Sequence, residues 1–160
     1  MQERFAADRN LGKLVKWLRI LGYDTLSERG DADRDFLRRA AEDGRIVLTR
    51  NRDLARRVQP ASLVFVAADR VETQLGEVLN ALNIAPDPAR RMSRCLHCNV
   101  PLDAVTKAAV EGLVPAYVSG TQPRFRRCPC CGKIFWPGTH PRRAEEYLRT
   151  RVPALRSPLS

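Results

Sequence analysis

Arg45-Ile46-Val47-Leu48-Thr49-Arg50-Asn51-Arg52-Asp53 is the stretch from which the fold can be read. Ile46 to Leu48 is a short run of apolar β-formers, with Gly44 before it and a polar cluster after it. An apolar run without alternation predicts a strand buried on both faces, and such strands belong in parallel sheets. The strand delivers the residues after it to its carboxyl end, where open α/β sheets build their sites. Asn51 and Asp53 are therefore the first candidates for chemistry.

Working outward, the same alternation of short strands and amphipathic helices recurs. Arg4 to Asp8 predicts a strand ending in a carboxylate, and Asn10 is placed to cap the helix after it. That helix, Leu11 to Leu21, carries Leu11, Leu14, Val15, Leu18 and Leu21 on one face, with Lys13, Lys16 and Arg19 largely on the other. Gly22 stops it, and Asp24 to Ser27 predicts a second short strand. Asp31 or Asp33 caps the next helix, whose apolar positions are Phe36, Leu37, Ala40 and Ala41. A short helix over Asp53 to Val58, a strand over Ser62 to Ala67 and a helix over Val71 to Leu82 complete the series. The order β-α-β-α-β-α-β-α predicts an α/β domain, a parallel sheet with helices on both faces. Ala85-Pro86-Asp87-Pro88 breaks the pattern, so the expected division is residues 1–88, then 89–141, then a short basic helix over Arg142 to Arg149 and a frayed tail ending at residue 160.

The second unit contains all five cysteines, in two tight groups. Cys95-Leu96-His97-Cys98 and Cys128-Pro129-Cys130-Cys131-Gly132 read as two C-x-x-C knuckles, the pattern of a tetrahedral thiolate site for Zn²⁺. Cys95, Cys98, Cys128 and Cys131 are the expected ligands, and Cys130 is a spare. His97 and His140 are weaker alternatives. Four soft ligands with no open position describe a structural ion, and the gap between knuckles predicts a loop over Thr106 to Thr121. Phe125, Phe135 and Trp136 are expected to pack against this zinc ribbon rather than to stack on bases.

Asp8, Asp33, Asp53 and Asp69 stand where strands end or helices begin. Clustered carboxylates repel one another and are normally held by a hard cation such as Mg²⁺ or Mn²⁺. Such an ion activates water and stabilises the charge that builds on a phosphodiester. Each acid also has a structural explanation: Asp33 and Asp53 as helix-start residues, Asp69 as a turn residue. Asp8, on an otherwise apolar strand, is the hardest to explain that way. The net charge of +10, mostly from Arg, favours a polyanionic partner such as RNA or DNA, although an Arg-rich codon bias with solvated charges accounts for it equally. The chain shows no apolar run of membrane-spanning length and no leader-like start, so a cytoplasmic protein without a membrane partner is expected.

Taken together, these segments resemble a known family. The opening FAADRNLGKLVKWLRILGYDT (residues 5–25), the block from Asp33 through Gly44-Arg45-Ile46-Val47-Leu48-Thr49-Arg50 to Asn51, Gln74-Leu75 with Val78-Leu79, and the cysteine blocks from Ser93 to Leu102 and from Phe125 to His140 are similar to the Mut7-C family. The resemblance implies a PIN-like three-layer α/β/α ribonuclease domain followed by a zinc ribbon, with a site dependent on divalent metal. By position Asp8 is the first-strand acid and Asp33 the acid heading the second helix. The chain departs from the Thr-Arg-Asp form of the third motif, because Asn51 stands at that Asp and Asp53 is the carboxylate left nearby. An amide oxygen coordinates a cation but brings no charge, so weaker metal binding is expected.

The expected function is a Mg²⁺- or Mn²⁺-dependent endoribonuclease with an RNA-binding ribbon. In it Asp8, Asp33 and Asp53 hold the ion with help from Asn51, and Arg50 and Arg52 hold phosphate. Ribosomal and transfer RNA are candidate partners. The alternative is a catalytically weak or inactive RNA- or ribosome-binding protein that keeps the fold.

Overall fold

A computed structural model describes residues 2–57, 62–137 and 146–152. Val58, His140, residues 142–145 and the tail from residue 153, about which expectations were formed above, lie outside the described residues. The first unit comprises β1 (Phe5–Ala7), α1 (Gly12–Ile20), β2 (Thr25–Ser27), α2 (Arg34–Glu42), β3 (Ile46–Thr49), α3 (Arg52–Ala55), β4 (Leu63–Phe65) and α4 (Val71–Ala81). Its four strands are all parallel and run in the order β2-β1-β3-β4.

Helices cover both faces because side chains alternate along each strand. Phe5, Ala7, Leu48, Val64 and Val66 point to one side, where they meet Leu14, Val15 and Leu18 of α1 and Leu75, Val78 and Leu79 of α4. Ala6, Val47 and Leu63 point to the other, against Phe36 and Ala40 of α2 and Leu54 of α3. Residues 146–151 are helical and return to the first of these cores, burying Leu148 and Val152 in it. Tyr147 stacks on Trp17 with ring centroids 5.6 Å apart and donates from its hydroxyl to Glu72 Oε2 at 2.9 Å. The basic character of this stretch hid its apolar contribution.

The first helix starts differently from the expectation. Asp8, not Asn10, accepts from the chain: its carboxylate caps a single 3-10 turn over Arg9–Leu11, and α1 begins after it. The carboxylate two residues before Asn10 reaches the Asn10 N–H first, so Asn10 becomes the donor. Asp33 caps α2 by accepting from Phe36 N. Before β3, the nearly buried Arg45 makes a two-pronged ion pair with Asp24, at 2.7 and 3.2 Å, and also pairs with Asp43.

The cysteine-bearing unit is a three-stranded antiparallel sheet of β5 (Asp103–Val105), β6 (Phe125–Arg127) and β7 (Ile134–Phe135). The expected loop over Thr106 to Thr121 is instead two short helices, α5 (Lys107–Val110), capped by Thr106, and α6 (Ala116–Thr121). They fold because Val110 and Val118 bury themselves against Phe125, with Trp136 packed at the edge of the same cluster.

Arg19 joins the two units. The sequence places it on the polar side of α1, yet it is buried. Its guanidinium donates to Thr25 O at 3.0 and 2.8 Å and to Leu96 O, inside the first knuckle, at 2.7 Å. Asn99, just past Cys98, accepts from Thr25 N at 2.9 Å and donates to Asp24 Oδ1 at 2.7 Å. Gly22 completes the junction. Its φ is +94° and a Cβ there would lie 2.5 Å from Arg90 O, so a side chain is excluded by both conformation and space.

Candidate active site and metal centre

In the strand order β2-β1-β3-β4 the chain leaves β1 toward one side of the sheet and leaves β3 toward the other. Between them lies the topological switch point, the usual crevice for a ligand in open α/β sheets. Asp8 follows β1 there, and Thr49, Arg50 and Asn51 end β3 beside it, because Ala7 pairs with Leu48 in the parallel register. Asp8 is only 3 % exposed. Its Oδ1 accepts from Asn10 N at 2.9 Å, and its Oδ2 accepts from Thr49 Oγ1 and Arg50 N, both at 2.9 Å. A carboxylate offers about four lone-pair sites, so three filled sites leave room for one more ligand bond.

Thr49 extends the link. Its hydroxyl, donating to Asp8, accepts from Asn51 N at 3.0 Å, so Asp8, Thr49 and Asn51 form one hydrogen-bonded chain across the two strand ends. Sequence reading missed Thr49; the signal was a polar residue closing an apolar strand. Asn51 Oδ1 accepts from Asp53 N at 3.0 Å and Leu54 N at 3.2 Å, which makes it the cap of α3. Asn and Asp are about equally good caps, so the local fold accounts for a polar cap here but not for the choice of amide over acid.

The remaining candidates are placed as follows. Asp53 is in the first turn of α3, with its side chain 81 % exposed and Arg56 at 3.9 Å. Asp33 is exposed at the start of α2. The loop before Asp33 reaches the turn after Asp8, since Arg9 pairs with Asp31 at 3.1 Å. Arg50 is committed to Ala68 O at 2.6 Å and Asp69 at 2.8 Å, and Arg52 lies over the Phe65 ring, 5.2 Å from its centroid. Asp69 is thus the partner of Arg50. Glu28, at the carboxyl end of β2, was not foreseen as an acid near this crevice. The Gly30 N–H, working against burial, and then Arg39 hold its carboxyl below the ordinary range.

Among the described residues, one group of three or more His, Cys, Asp or Glu brings its ligand atoms within 4.8 Å of one another: Cys95, Cys98, Cys128 and Cys131. Asp8, Asp33 and Asp53 do not form such a group. The two knuckles repeat one pattern. Cys95 N donates to Val100 O and Cys128 N to Lys133 O, both at 2.9 Å, while Asn99 N returns to Cys95 O and Gly132 N to Cys128 O, both at 3.0 Å. Asn99 (φ +62°) and Gly132 (φ +73°) supply the left-handed residue that this turn requires. Backbone N–H groups point at sulfur: Cys98 N at Cys95 Sγ (3.5 Å), and Cys130 N and Cys131 N at Cys128 Sγ (3.4 Å each). Burial raises the Cys128 thiol, but the N–H groups of Cys131 and Cys130 outweigh it and bring it down to about 7.

These four sulfurs fit a tetrahedral ion. Bonds of about 2.3 Å from zinc to sulfur put tetrahedral sulfurs about 3.8 Å apart, and Cys95 Sγ and Cys131 Sγ are 3.8 Å apart. Cys130 is exposed and outside the group, and His97 faces Lys133 Nζ at 2.9 Å instead of the sulfurs.

A family model described as the Mut7-C RNAse domain matches residues 3–148, spanning both the parallel sheet and the cysteine centre. The chain belongs to that family. No curated protein and no solved structure matches it. The Mut7-C match points to ribonuclease-type function and hence to RNA. No helix among the described residues is long and apolar enough to cross a membrane.

Proposed function

We propose that this Mut7-C chain is a divalent-metal-dependent endoribonuclease whose site is the crevice between β1 and β3. The observation that carries the reading is the buried Asp8, fixed by three donors at the topological switch point with one lone-pair site left. Asp8 is the fixed ligand, Asp33 and the exposed Asp53 the adjustable ones, and Asn51 contributes through its link to Asp8 by way of Thr49. A bound Mg²⁺ or Mn²⁺ supplies an activated water and stabilises charge on the scissile phosphate. Arg50, anchored by Ala68 O and Asp69, fixes the crevice wall, and its backbone N–H orients Asp8. In this reading residues 89–141 form a zinc ribbon stapled by Cys95, Cys98, Cys128 and Cys131, and they contribute to RNA binding.

The test is cleavage of 5′-labelled single-stranded RNA by purified protein. Cleavage that needs Mn²⁺ or Mg²⁺, stops with chelator and is lost in Asp8→Asn supports the reading. Equal cleavage by Asp8→Asn removes it.

A second reading, an RNA-binding protein without turnover, is favoured by one observation. The acids do not come within mutual coordinating distance among the described residues, and Asn51 brings no charge. Salt-dependent RNA binding with no cleavage at any metal concentration selects it.

A further inference from the structure

We propose that Arg34, the first residue of α2, is the side chain that holds an RNA phosphate beside Asp8; this rests on the ribonuclease reading and names a substrate-binding residue for the same site. The sequence pointed to Arg50 and Arg52 for that role, and the fold commits both elsewhere. The Arg50 guanidinium is bound to Ala68 O and Asp69, and Arg52 lies over the Phe65 ring of β4. Four more arginines on the helices and loops around the sheet have acid partners: Arg9 with Asp31, Arg38 with Asp35 and Glu42, Arg39 with Glu28, and Arg70 with Glu72. Arg34 differs. It is exposed, and among the described residues its guanidinium has neither an ion pair nor a hydrogen bond.

Its place on α2 directs it to the crevice. Side chains alternate along a strand, so Asp8 and Thr49, each two residues beyond Ala6 and Val47, face the layer formed by α2 and α3. Against that face α2 buries Phe36 and Ala40. At 3.6 residues per turn, Arg34 and Arg39 fall on opposite flanks of this buried stripe. Arg39 reaches Glu28 and so marks the flank toward β2. Leu37, on the flank of Arg34, faces β3 and shares a cavity wall with Ile46 and Val47. Helical side chains lean toward the start of their helix, which here is the end where Asp8, Thr49 and Asn51 stand. A guanidinium at that place offers a planar fork to phosphate oxygens. Two other exposed cations do not share the position. Arg29 follows the border strand β2, and Lys13 is on α1, which covers the opposite face of the sheet.

The experiment compares Arg34→Gln, Arg34→Lys and Arg38→Gln in the zinc-loaded full chain. Fluorescence anisotropy reads the binding of a labelled oligouridylate without Mg²⁺ or Mn²⁺, a cleavage assay with Mn²⁺ reads KM on the same RNA, and calorimetry reads Mn²⁺ affinity. Arg34→Gln is expected to weaken binding and raise KM about tenfold, the effect of one charged hydrogen-bonded contact. It is also expected to flatten the dependence of binding on salt by about 0.7, the share of one phosphate on a single strand. Its Mn²⁺ affinity is expected to equal the parent's, because arginine is not a ligand of the ion. Arg34→Lys is expected to keep the salt dependence and to recover part of the affinity, since an ammonium is a point charge without the fork. Arg38→Gln, on the same helix and already paired with acids, is expected to bind and cleave as the parent does. If Arg34→Gln binds and cleaves like the parent while the parent cleaves RNA, the role of Arg34 is refuted and the ribonuclease reading stands. Equal losses in Arg34→Gln and Arg38→Gln also refute it, since they report net charge and not position. If the parent binds RNA without cleaving it, the ribonuclease reading falls and the binding comparison alone decides Arg34. Failure of the parent to bind any RNA at low salt refutes both.

Discussion

Replacing Asn51 by Asp puts a carboxylate at the position where the resemblance to the family implies one, and the structure shows what it costs. Asn51 Oδ1 caps α3 through two N–H groups, at 3.0 and 3.2 Å, and Asp offers the same oxygen. The helix dipole favours the added charge by about 0.3–1 kcal/mol, and repulsion from Asp8 and Asp53 opposes it by a similar amount. Without divalent metal the variant is therefore expected within about 1 kcal/mol of the parent, a Tm change of about 2–4 °C at most for a chain of this size. On the proposed site, excess Mn²⁺ is expected to shift the balance, because the repulsion would become coordination. A tenfold gain in affinity adds about 1.4 kcal/mol of linked stabilisation, or about 3–6 °C in Tm. Paired thermal melts with Mn²⁺ and with chelator read both numbers, and cleavage of labelled RNA reads the consequence. A large loss of stability in chelator refutes the capping argument. An unchanged Mn²⁺ increment with unchanged cleavage refutes the placing of position 51 at the metal site.

Two further predictions concern the scaffold. Burial raises the Asp24 carboxyl, but hydrogen bonds from Arg45 and Asn99 outweigh it and hold it at about 2. A carboxyl depressed in the folded state stabilises above its unfolded value of about 4, and that contribution fades as pH falls toward 2. Asp24→Asn is expected to cost about 1–3 kcal/mol at pH 7 and to flatten the stability profile between about pH 5 and pH 2 in urea titrations. Cys98→Ser is expected to abolish stoichiometric zinc, measured by elemental analysis, while Cys130→Ser retains it, since Cys130 lies outside the converging sulfurs.

Local pattern carried the sheet. The apolar runs around Phe5, Val47 and Val64, and helix stops such as Gly22 and Gly44, can be read from neighbours within a turn or two, and the parallel order follows from their alternation with helices. The converging cysteines were equally legible, because metal spacing is a local signature. Arg19 was not. Its helical position marks it as solvent-facing, and it is buried because Thr25 O and the Leu96 carbonyl of a knuckle that arrives far later in the chain accept its N–H groups. Leu148 and Val152 were hidden for the same reason, since a basic stretch gives no sign of which core will receive its few apolar side chains. At the candidate site Asp8 stood out as a carboxylate closing an apolar strand. Thr49, which holds it, is an ordinary strand residue until the register of β1 against β3 is known.

The junction at Thr25 has a consequence for association. In the order β2-β1-β3-β4, β2 is a border strand of the sheet, and a border strand is a template on which another chain can pair. Asn99 takes the Thr25 N–H and Arg19 the Thr25 carbonyl, so the knuckle and α1 together occupy the rung that an incoming strand would use. Because Leu96 and Asn99 flank two of the cysteines that could hold a zinc ion, loss of such an ion is expected to loosen the knuckle and with it the contacts at that rung. Metal-depleted protein should accordingly grow into assemblies from this side of the sheet, and restoring zinc before it does so should keep it dispersed.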